Sequence, residues 1–122
     1  MARAHASSVP VTRIRVTERD FRISAPRQVS SGNLLVSVAN KGPDDHELIV
    51  VRAENAAHLP LRSDGLTVDE AKLRPVTEPG LEPGGPDSLR ELRLELPRGR
   101  YVLFCNMSGH FMAGMHTTLV VR

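Results

Sequence analysis

One short segment near the C-terminus carries most of the side chains that could do chemistry. Cys105, His110 and Met115 follow one another with four residues between each pair. A lone free cysteine is most often a small buried hydrophobic residue. A thiolate, an imidazole and a thioether together, however, form a soft ligand set that favours copper, because zinc rarely takes methionine. The spacing therefore predicts a metal site.

A further imidazole is needed to complete the ligand set, and His46 is the candidate. It follows the turn at residues 40–43 and opens an apolar segment. Two histidines, one cysteine and a weak axial methionine define a blue-copper electron-transfer site. His116 adjoins Met115, but on a strand its side chain should point to the opposite side.

Four functions are compatible with these residues. The first is a one-electron carrier, which transforms no substrate and is therefore not an enzyme. The second is copper storage or delivery, which Met107, Met112 and His116 keep open as extra ligands. The third is hydrolysis by a nucleophilic Cys105 with His110 as its base, but this leaves the methionine spacing unexplained. The fourth is zinc bound by the cysteine and two histidines.

The elements that must hold these side chains are predicted to be β-strands. Apolar residues alternate over residues 12–24, where Phe21 and Ile23 share one face. The parity of the alternation changes around residues 18–20, which predicts a bulge or a bend. Residues 46–51 form a nearly continuous apolar run, which is typical of a strand buried on both faces.

Two other segments depart from the strand pattern. Residues 67–70 read Thr-Val-Asp-Glu and fit a capping box, which predicts a short helix over residues 68–73. Residues 75–86 contain four prolines and three glycines, which predicts that no regular element forms there. About seven strands and one short helix without a repeat indicate an all-β protein, an antiparallel sandwich or barrel.

Length and composition indicate one domain and exclude several classes of protein. The 122 residues suit one domain, with residues 1–11 predicted as a flexible arm and residues 12–122 as the domain. A net charge of +2 is too small to indicate a polyanionic partner, and three Phe, one Tyr and no Trp argue against binding of single-stranded nucleic acid. No apolar run is long enough to span a membrane. One cysteine excludes an internal disulfide framework.

These motifs resemble the cupredoxin family of type 1 blue copper proteins. Residues 105–115 match a Cys-Asn-x-x-Gly-His-x-x-x-Gly-Met loop found in bacterial cupredoxin-like proteins, and the spacing is similar to that of rusticyanin and sulfocyanin. His46 follows an Asn-x-Gly turn, as the first histidine of the family does. Residues 97–101 resemble the Pro-Gly-x-Tyr turn that precedes its cysteine strand. The resemblance covers residues 12–122.

The resemblance implies a Greek-key β-sandwich that holds one mononuclear type 1 copper ion through His46, Cys105, His110 and Met115. It implies a monomer that exchanges electrons with a redox protein docked near His110, and no nucleic acid or small-molecule substrate. It also implies an extracytoplasmic location, with the export signal absent from this sequence. Phe111 follows the second histidine, where it either lies exposed as part of a docking rim or caps the core.

One residue departs from the family pattern. Many cupredoxins have Asn after the first histidine, where it donates toward the cysteine sulfur, and this chain has Glu47. An ionised glutamate can only accept hydrogen bonds. The hydrogen bonding around the sulfur, and with it the redox potential, therefore cannot be carried over from the family.

Overall fold

The computed structural model describes residues 10–73 and 81–122, which form two packed β-sheets. The all-β sandwich expected from the sequence is confirmed, with nine strands rather than about seven in the described residues. The strands are β1 (Val11–Arg19), β2 (Arg22–Ser24), β3 (Gln28–Val29), β4 (Gly32–Asn40), β5 (His46–Arg52), β6 (Leu81–Gly84), β7 (Leu89–Leu96), β8 (Gly99–Phe104) and β9 (His116–Val121).

The strand order differs from a purely antiparallel sandwich. One sheet has the order β2-β1-β4-β7 and the other β3-β9-β8-β5-β6. The pairs β1–β4 and β3–β9 are parallel, and the other pairs are antiparallel. Parallel neighbours need a crossover connection. Here the chain leaves β1 through β2, enters the other sheet as β3 and returns as β4, so the sandwich is mixed.

The parity change around residues 18–20 is a chain reversal. Arg19 pairs with Arg22 across antiparallel strands, so that Asp20 and Phe21 form the turn. Ile23 is buried at 5% exposure, whereas the Phe21 side chain is 42% exposed. The expectation that Phe21 and Ile23 share one face of a strand was therefore wrong, because Phe21 belongs to the turn.

An aliphatic core fills the space between the sheets. In it Leu34 lies opposite Leu94 across β4 and β7, and the cluster reaches Cys105 and Met115 at one end. A second apolar cluster covers the outer face of the five-stranded sheet, where side chains from residues 53–73 pack against β5 and β8. Both faces of β5 are consequently buried, as the apolar run at residues 46–51 predicts.

The predicted helix over residues 68–73 is a single 3₁₀ turn, Glu70–Lys72, and a second such turn spans Ala56–His58. The N-cap is Asp69, whose side chain accepts a hydrogen bond from the Ala71 N–H. Thr67 was expected to cap the helix, but its hydroxyl contacts the Asp64 carboxylate instead. Asp64 also accepts the Thr67 N–H, which holds Thr67 in the preceding turn.

The segment of prolines and glycines contains a strand that the sequence did not predict. Residues 74–80 lie outside the described residues, but β6 pairs with β5 and forms the edge of its sheet. An edge strand tolerates Pro83, because a proline without an N–H is costly only where a ladder bond is needed. Residues 1–9 of the predicted arm also lie outside the described residues, and β1 begins at Val11.

Within residues 10–73 and 81–122, no helix has the length and apolar character needed to cross a bilayer.

Candidate metal centre

Three of the predicted ligands converge at one end of the sandwich. His46 is the first residue of β5, Cys105 follows the last residue of β8, and His110 lies in the loop between β8 and β9. The Cys105 Sγ atom lies 3.9 Å from His46 Nδ1 and 3.6 Å from His110 Nδ1. All three donor atoms lie within 4.8 Å of one another, and all three residues are buried. Side chains separated by up to 64 positions in the chain thus face one point.

Met115 closes the same loop. Its N–H donates to the His110 carbonyl over 3.1 Å, and its carbonyl accepts the Cys105 N–H over 3.2 Å. The Met115 side chain is fully buried in the core cluster that also contains Cys105. The fourth predicted ligand therefore lies in the same apolar environment as the cysteine.

The loop that carries these residues is held by its own backbone hydrogen bonds. The His110 N–H donates to the Met107 carbonyl over 2.9 Å, and the Gly114 N–H donates to the Phe111 carbonyl over 2.9 Å. Gly109 and Gly114 have φ angles of 82° and 104°, in the region that favours glycine. Two consecutive tight turns therefore set the loop conformation through protein contacts alone.

A carboxylate orients the ring of His46. The Nε2 atom lies 2.7 Å from Asp20 Oδ1 in the β1–β2 turn. Burial lowers the pKa of His46 below its ordinary value, although Asp20 opposes the shift. A neutral ring that carries its proton on Nε2, the nitrogen nearest Asp20, would present the Nδ1 lone pair to the Cys105 sulfur.

The second histidine has a longer contact of the same kind. His110 Nε2 lies 3.4 Å from Asp44 Oδ2, and the Asp44 N–H donates to Asp20 Oδ1 over 3.1 Å. Neither aspartate was predicted from the sequence. Asp is common in turns for backbone reasons alone, so their residue type carried no signal for a role at the site.

Cys105 is a thiol in the absence of metal. Burial raises the pKa of Cys105 to about 11, and the negative charges of Glu18 and Glu47 act in the same direction, while backbone N–H groups partly oppose them. A metal ion that binds sulfur as a thiolate must therefore displace a proton.

Glu47 contacts the residue after the cysteine. Its Oε1 accepts the Asn106 N–H over 3.1 Å, and the Asn106 side chain bonds in turn to the backbone of Val68 and to Glu70. Burial raises the pKa of Glu47, and the nearby Glu70 adds to the shift. Thus the glutamate that departs from the family pattern fixes the backbone next to Cys105.

The aromatic residues around His110 are of two kinds, one buried and one exposed. Phe111 is buried against Phe104, with 5.6 Å between ring centroids, so of its two interpretations the core position is the one observed. His116 lies 5.0 Å from the Phe111 ring, away from the metal centre. The exposed aromatic neighbour is Phe21, whose ring lies edge-on to His110 at 5.0 Å. His110 itself is only 8% exposed.

Comparison with known proteins assigns the chain to a family. The model of the sulfocyanin (SoxE) domain matches residues 17–122. A comparison with curated proteins finds no match.

Solved structures with the same fold include auracyanin A, a blue copper protein of Chloroflexus aurantiacus, with a TM-score of 0.68 and 17% identity over 93% of this chain and 100% of that chain. Reduced auracyanin from Roseiflexus castenholzii has a TM-score of 0.66 and 17% identity over 92% and 96% of the two chains. Rusticyanin from Thiobacillus ferrooxidans has a TM-score of 0.66 and 12% identity over 92% and 77%. At these identities the likeness shows the cupredoxin fold.

Proposed function

Because the chain belongs to the sulfocyanin (SoxE) domain family, we propose that it is a type 1 copper protein that carries one electron at a time. In this proposal His46, Cys105, His110 and Met115 would hold one copper ion. When bound, copper supplies a one-electron couple between Cu(II) and Cu(I).

The observation that carries the proposal is the convergence of the three donor atoms. Two imidazole nitrogens and one sulfur of buried residues lie within 4.8 Å of one another. This donor set fits copper, because a thiolate with imidazoles forms the trigonal part of a blue-copper site. Met115 is fully buried in the same core cluster as Cys105, and a thioether available there supports copper over zinc.

The protein's own contacts hold the ligand residues in place. Backbone hydrogen bonds fix the loop of residues 106–115, and the Asp20 carboxylate lies 2.7 Å from His46 Nε2. Side chains that are positioned before metal binds have little need to move when the charge on the site changes. A small structural change on electron transfer is what a carrier requires.

The edge of His110 is the proposed route for the electron. Phe21 packs against this ring and is 42% exposed. Leu66 is also exposed, and its carbonyl accepts the N–H of Gly109, the residue before His110. Exposed apolar groups around a buried histidine suit a docking surface for a redox protein. We propose that a partner docks on this surface, which we call the Phe21 face (Phe21 and Leu66). No substrate is transformed there, so the protein would not act as an enzyme.

We also propose an extracytoplasmic location. A copper–thiolate centre is poorly suited to a reducing cytosol, because abundant thiols there compete with the site for copper. This proposal depends on the copper site and stands or falls with it.

Copper storage or delivery is the second candidate, because Met112 is 53% exposed on the loop that holds His110 and Met115. An exposed thioether at this position could receive or release a soft ion. Storage predicts metal that exchanges readily with a chelator, whereas an electron carrier predicts metal retained through many redox cycles.

The test is the visible spectrum after addition of Cu(II) to the metal-free protein. We expect intense blue or green absorption that Cys105→Ser abolishes and that reduction and reoxidation remove and restore. His58→Ala is the matched control, since His58 is an exposed histidine on the 3₁₀ turn Ala56–His58, and it should leave the spectrum unchanged. Tight but colourless binding would contradict the type 1 site and favour metal handling or zinc.

A further inference from the structure

We infer that Arg90 is a positioning residue for His46, acting as a clamp from the opposite sheet. The inference rests on the proposed function, because it concerns the first copper ligand. Arg90 lies on β7 of the four-stranded sheet, whereas His46 opens β5 of the five-stranded sheet. A side chain that crosses between the sheets at the metal centre can fix their relative position there.

The guanidinium of Arg90 contacts two backbone carbonyls of the other sheet. Its Nη2 donates to the His46 carbonyl over 3.0 Å, and its Nη1 donates to the Glu82 carbonyl on β6. The pairing of β5 with β6 shifts register between His46 and Leu48. Arg90 therefore supplies donors where the regular ladder is interrupted, and its planar fork allows both bonds at once.

A buried carboxylate lies on the other side of the guanidinium. Glu18 Oε1 is 3.8 Å from Arg90 Nη2, and the Glu18 side chain is fully buried. Among the described residues neither carboxylate oxygen of Glu18 has a hydrogen-bond partner. Burial of an acid without hydrogen bonds is costly, so the nearby positive charge is its main compensation. The pair therefore favours one position of the Arg90 side chain.

Gly84 leaves the space that the guanidinium occupies. A Cβ atom at position 84 would lie 2.5 Å from Arg90 Nε and 2.6 Å from its Cζ. At the neighbouring Gly85 the nearest atom to a Cβ is Asp45 Oδ1 at 3.6 Å, an ordinary contact. Neither glycine has a positive φ that would by itself exclude alanine. Alanine at position 84 therefore displaces Arg90 without removing its charge.

Four substitutions separate positioning from charge and from general stability. Arg90→Met removes both hydrogen bonds, and Arg93→Met is its control on an exposed arginine of the same strand. Gly84→Ala displaces the guanidinium, and Gly85→Ala is its control. We expect Arg90→Met and Gly84→Ala to shift the visible absorption bands and weaken copper binding about tenfold. The two controls should match the wild type.

A conservative variant and a double variant sharpen the test. Arg90→Lys keeps the charge without the fork, so we expect an intermediate shift. Full rescue by lysine would overturn the positioning role in favour of charge. The double variant Arg90→Met/Gly84→Ala should be close to Arg90→Met, because the shortest contacts of a Cβ at position 84 are with the Arg90 side chain. Spectra and affinities of both single variants equal to those of their controls would overturn the inference.

A metal-free measurement separates this inference from the proposed function. In crystal structures of the metal-free Arg90→Met and Gly84→Ala proteins, we expect the distance from His46 Nδ1 to Cys105 Sγ to exceed the present 3.9 Å. An unchanged distance in both variants would overturn the clamp even where copper binds. Failure of the wild type to bind copper would overturn the proposed function, while the distance would still test the clamp. If Arg90→Met does not fold, Gly84→Ala alone decides.

Discussion

The Nε2 atom of His46 lies 2.7 Å from Oδ1 of Asp20, in the turn between the first two strands. The opposite nitrogen of the same ring faces the Cys105 sulfur. Asp20 thus contacts the proposed metal ligand on the side of the ring away from the sulfur. Its carboxylate makes the imidazole a better electron donor to a metal.

Asp20→Asn should weaken the metal centre without unfolding the protein. The amide oxygen can still accept a hydrogen bond, but it carries no negative charge to support the His46 ring. We expect copper affinity to fall about tenfold, as measured by competition with a chelator. The midpoint potential should rise, because the lost carboxylate stabilises Cu(II) more than Cu(I).

Asp45→Asn is the matched control for this prediction. Asp45 is an exposed aspartate in the loop directly before His46, and its removal changes the net charge by the same amount. Equal shifts of potential in the two variants would mean that only net charge matters and that the contact with His46 has no specific role.

The sequence predicts four ligands, and three of them converge in the structure, but it does not predict the residues that support them. A loop with fixed spacing constrains Cys105, His110 and Met115 locally, and the turn before His46 marks the start of a strand. Asp20 approaches His46 only because β1 and β4 pair in parallel, a relationship that local alternation does not specify.

Glu18 and Arg90 show a second limit of the sequence pattern. Glu18 continues the inward-facing series of Ile14 and Val16, so the alternation itself placed a carboxyl in the core. A charged residue at such a position is usually interpreted as the end of a buried face. The Arg90 side chain offsets the charge of Glu18, but this contact joins two strands that are distant in the chain.

Glu47 should act through the backbone of Asn106. Glu47→Ala removes the acceptor of the Asn106 N–H, and a partly buried donor without a partner costs about 1–3 kcal/mol. We expect urea unfolding of the metal-free protein to show this loss and the copper spectrum to shift. Glu47→Gln keeps an acceptor oxygen and should resemble the wild type in both measurements. Equal behaviour of the two variants would contradict the role of this hydrogen bond.

The Phe21 face should control electron exchange but not the copper site. Phe21→Glu introduces a charge on the apolar surface beside His110, so two copies should dock less well there. We expect the electron self-exchange rate, measured by NMR line broadening in mixtures of oxidised and reduced protein, to fall about tenfold at low salt. The visible spectrum should not change.

Val11→Glu is the control for this surface. Val11 is 41% exposed, close to the 42% of Phe21, and lies at the start of β1. Its substitution adds the same charge to the protein. A self-exchange rate that falls equally in both variants would show that net charge, rather than the Phe21 face, governs the encounter.

Glu18 should make the metal-free protein less stable as the pH rises from about 4.5 to about 7. Burial raises the pKa of Glu18 from 4.5 to about 7, with Arg90 opposing the shift and Glu47 adding to it. Between these two values the unfolded chain loses the proton while the folded protein keeps it, so ionisation favours unfolding. The full cost is reached above the folded pKa and is on the order of 3 kcal/mol.

Glu18→Gln isolates this contribution, because glutamine does not ionise. Burial lowers the pKa values of His46 and His116, so both histidines reduce stability as the pH falls below about 6.5, the opposite direction. The difference in unfolding free energy between wild type and variant, measured by urea titration from pH 4 to 8, cancels these terms. The variant should gain relative stability across that range, whereas Glu91→Gln, on the exposed face of β7, should not. A difference independent of pH would show that Glu18 ionises normally in the folded protein.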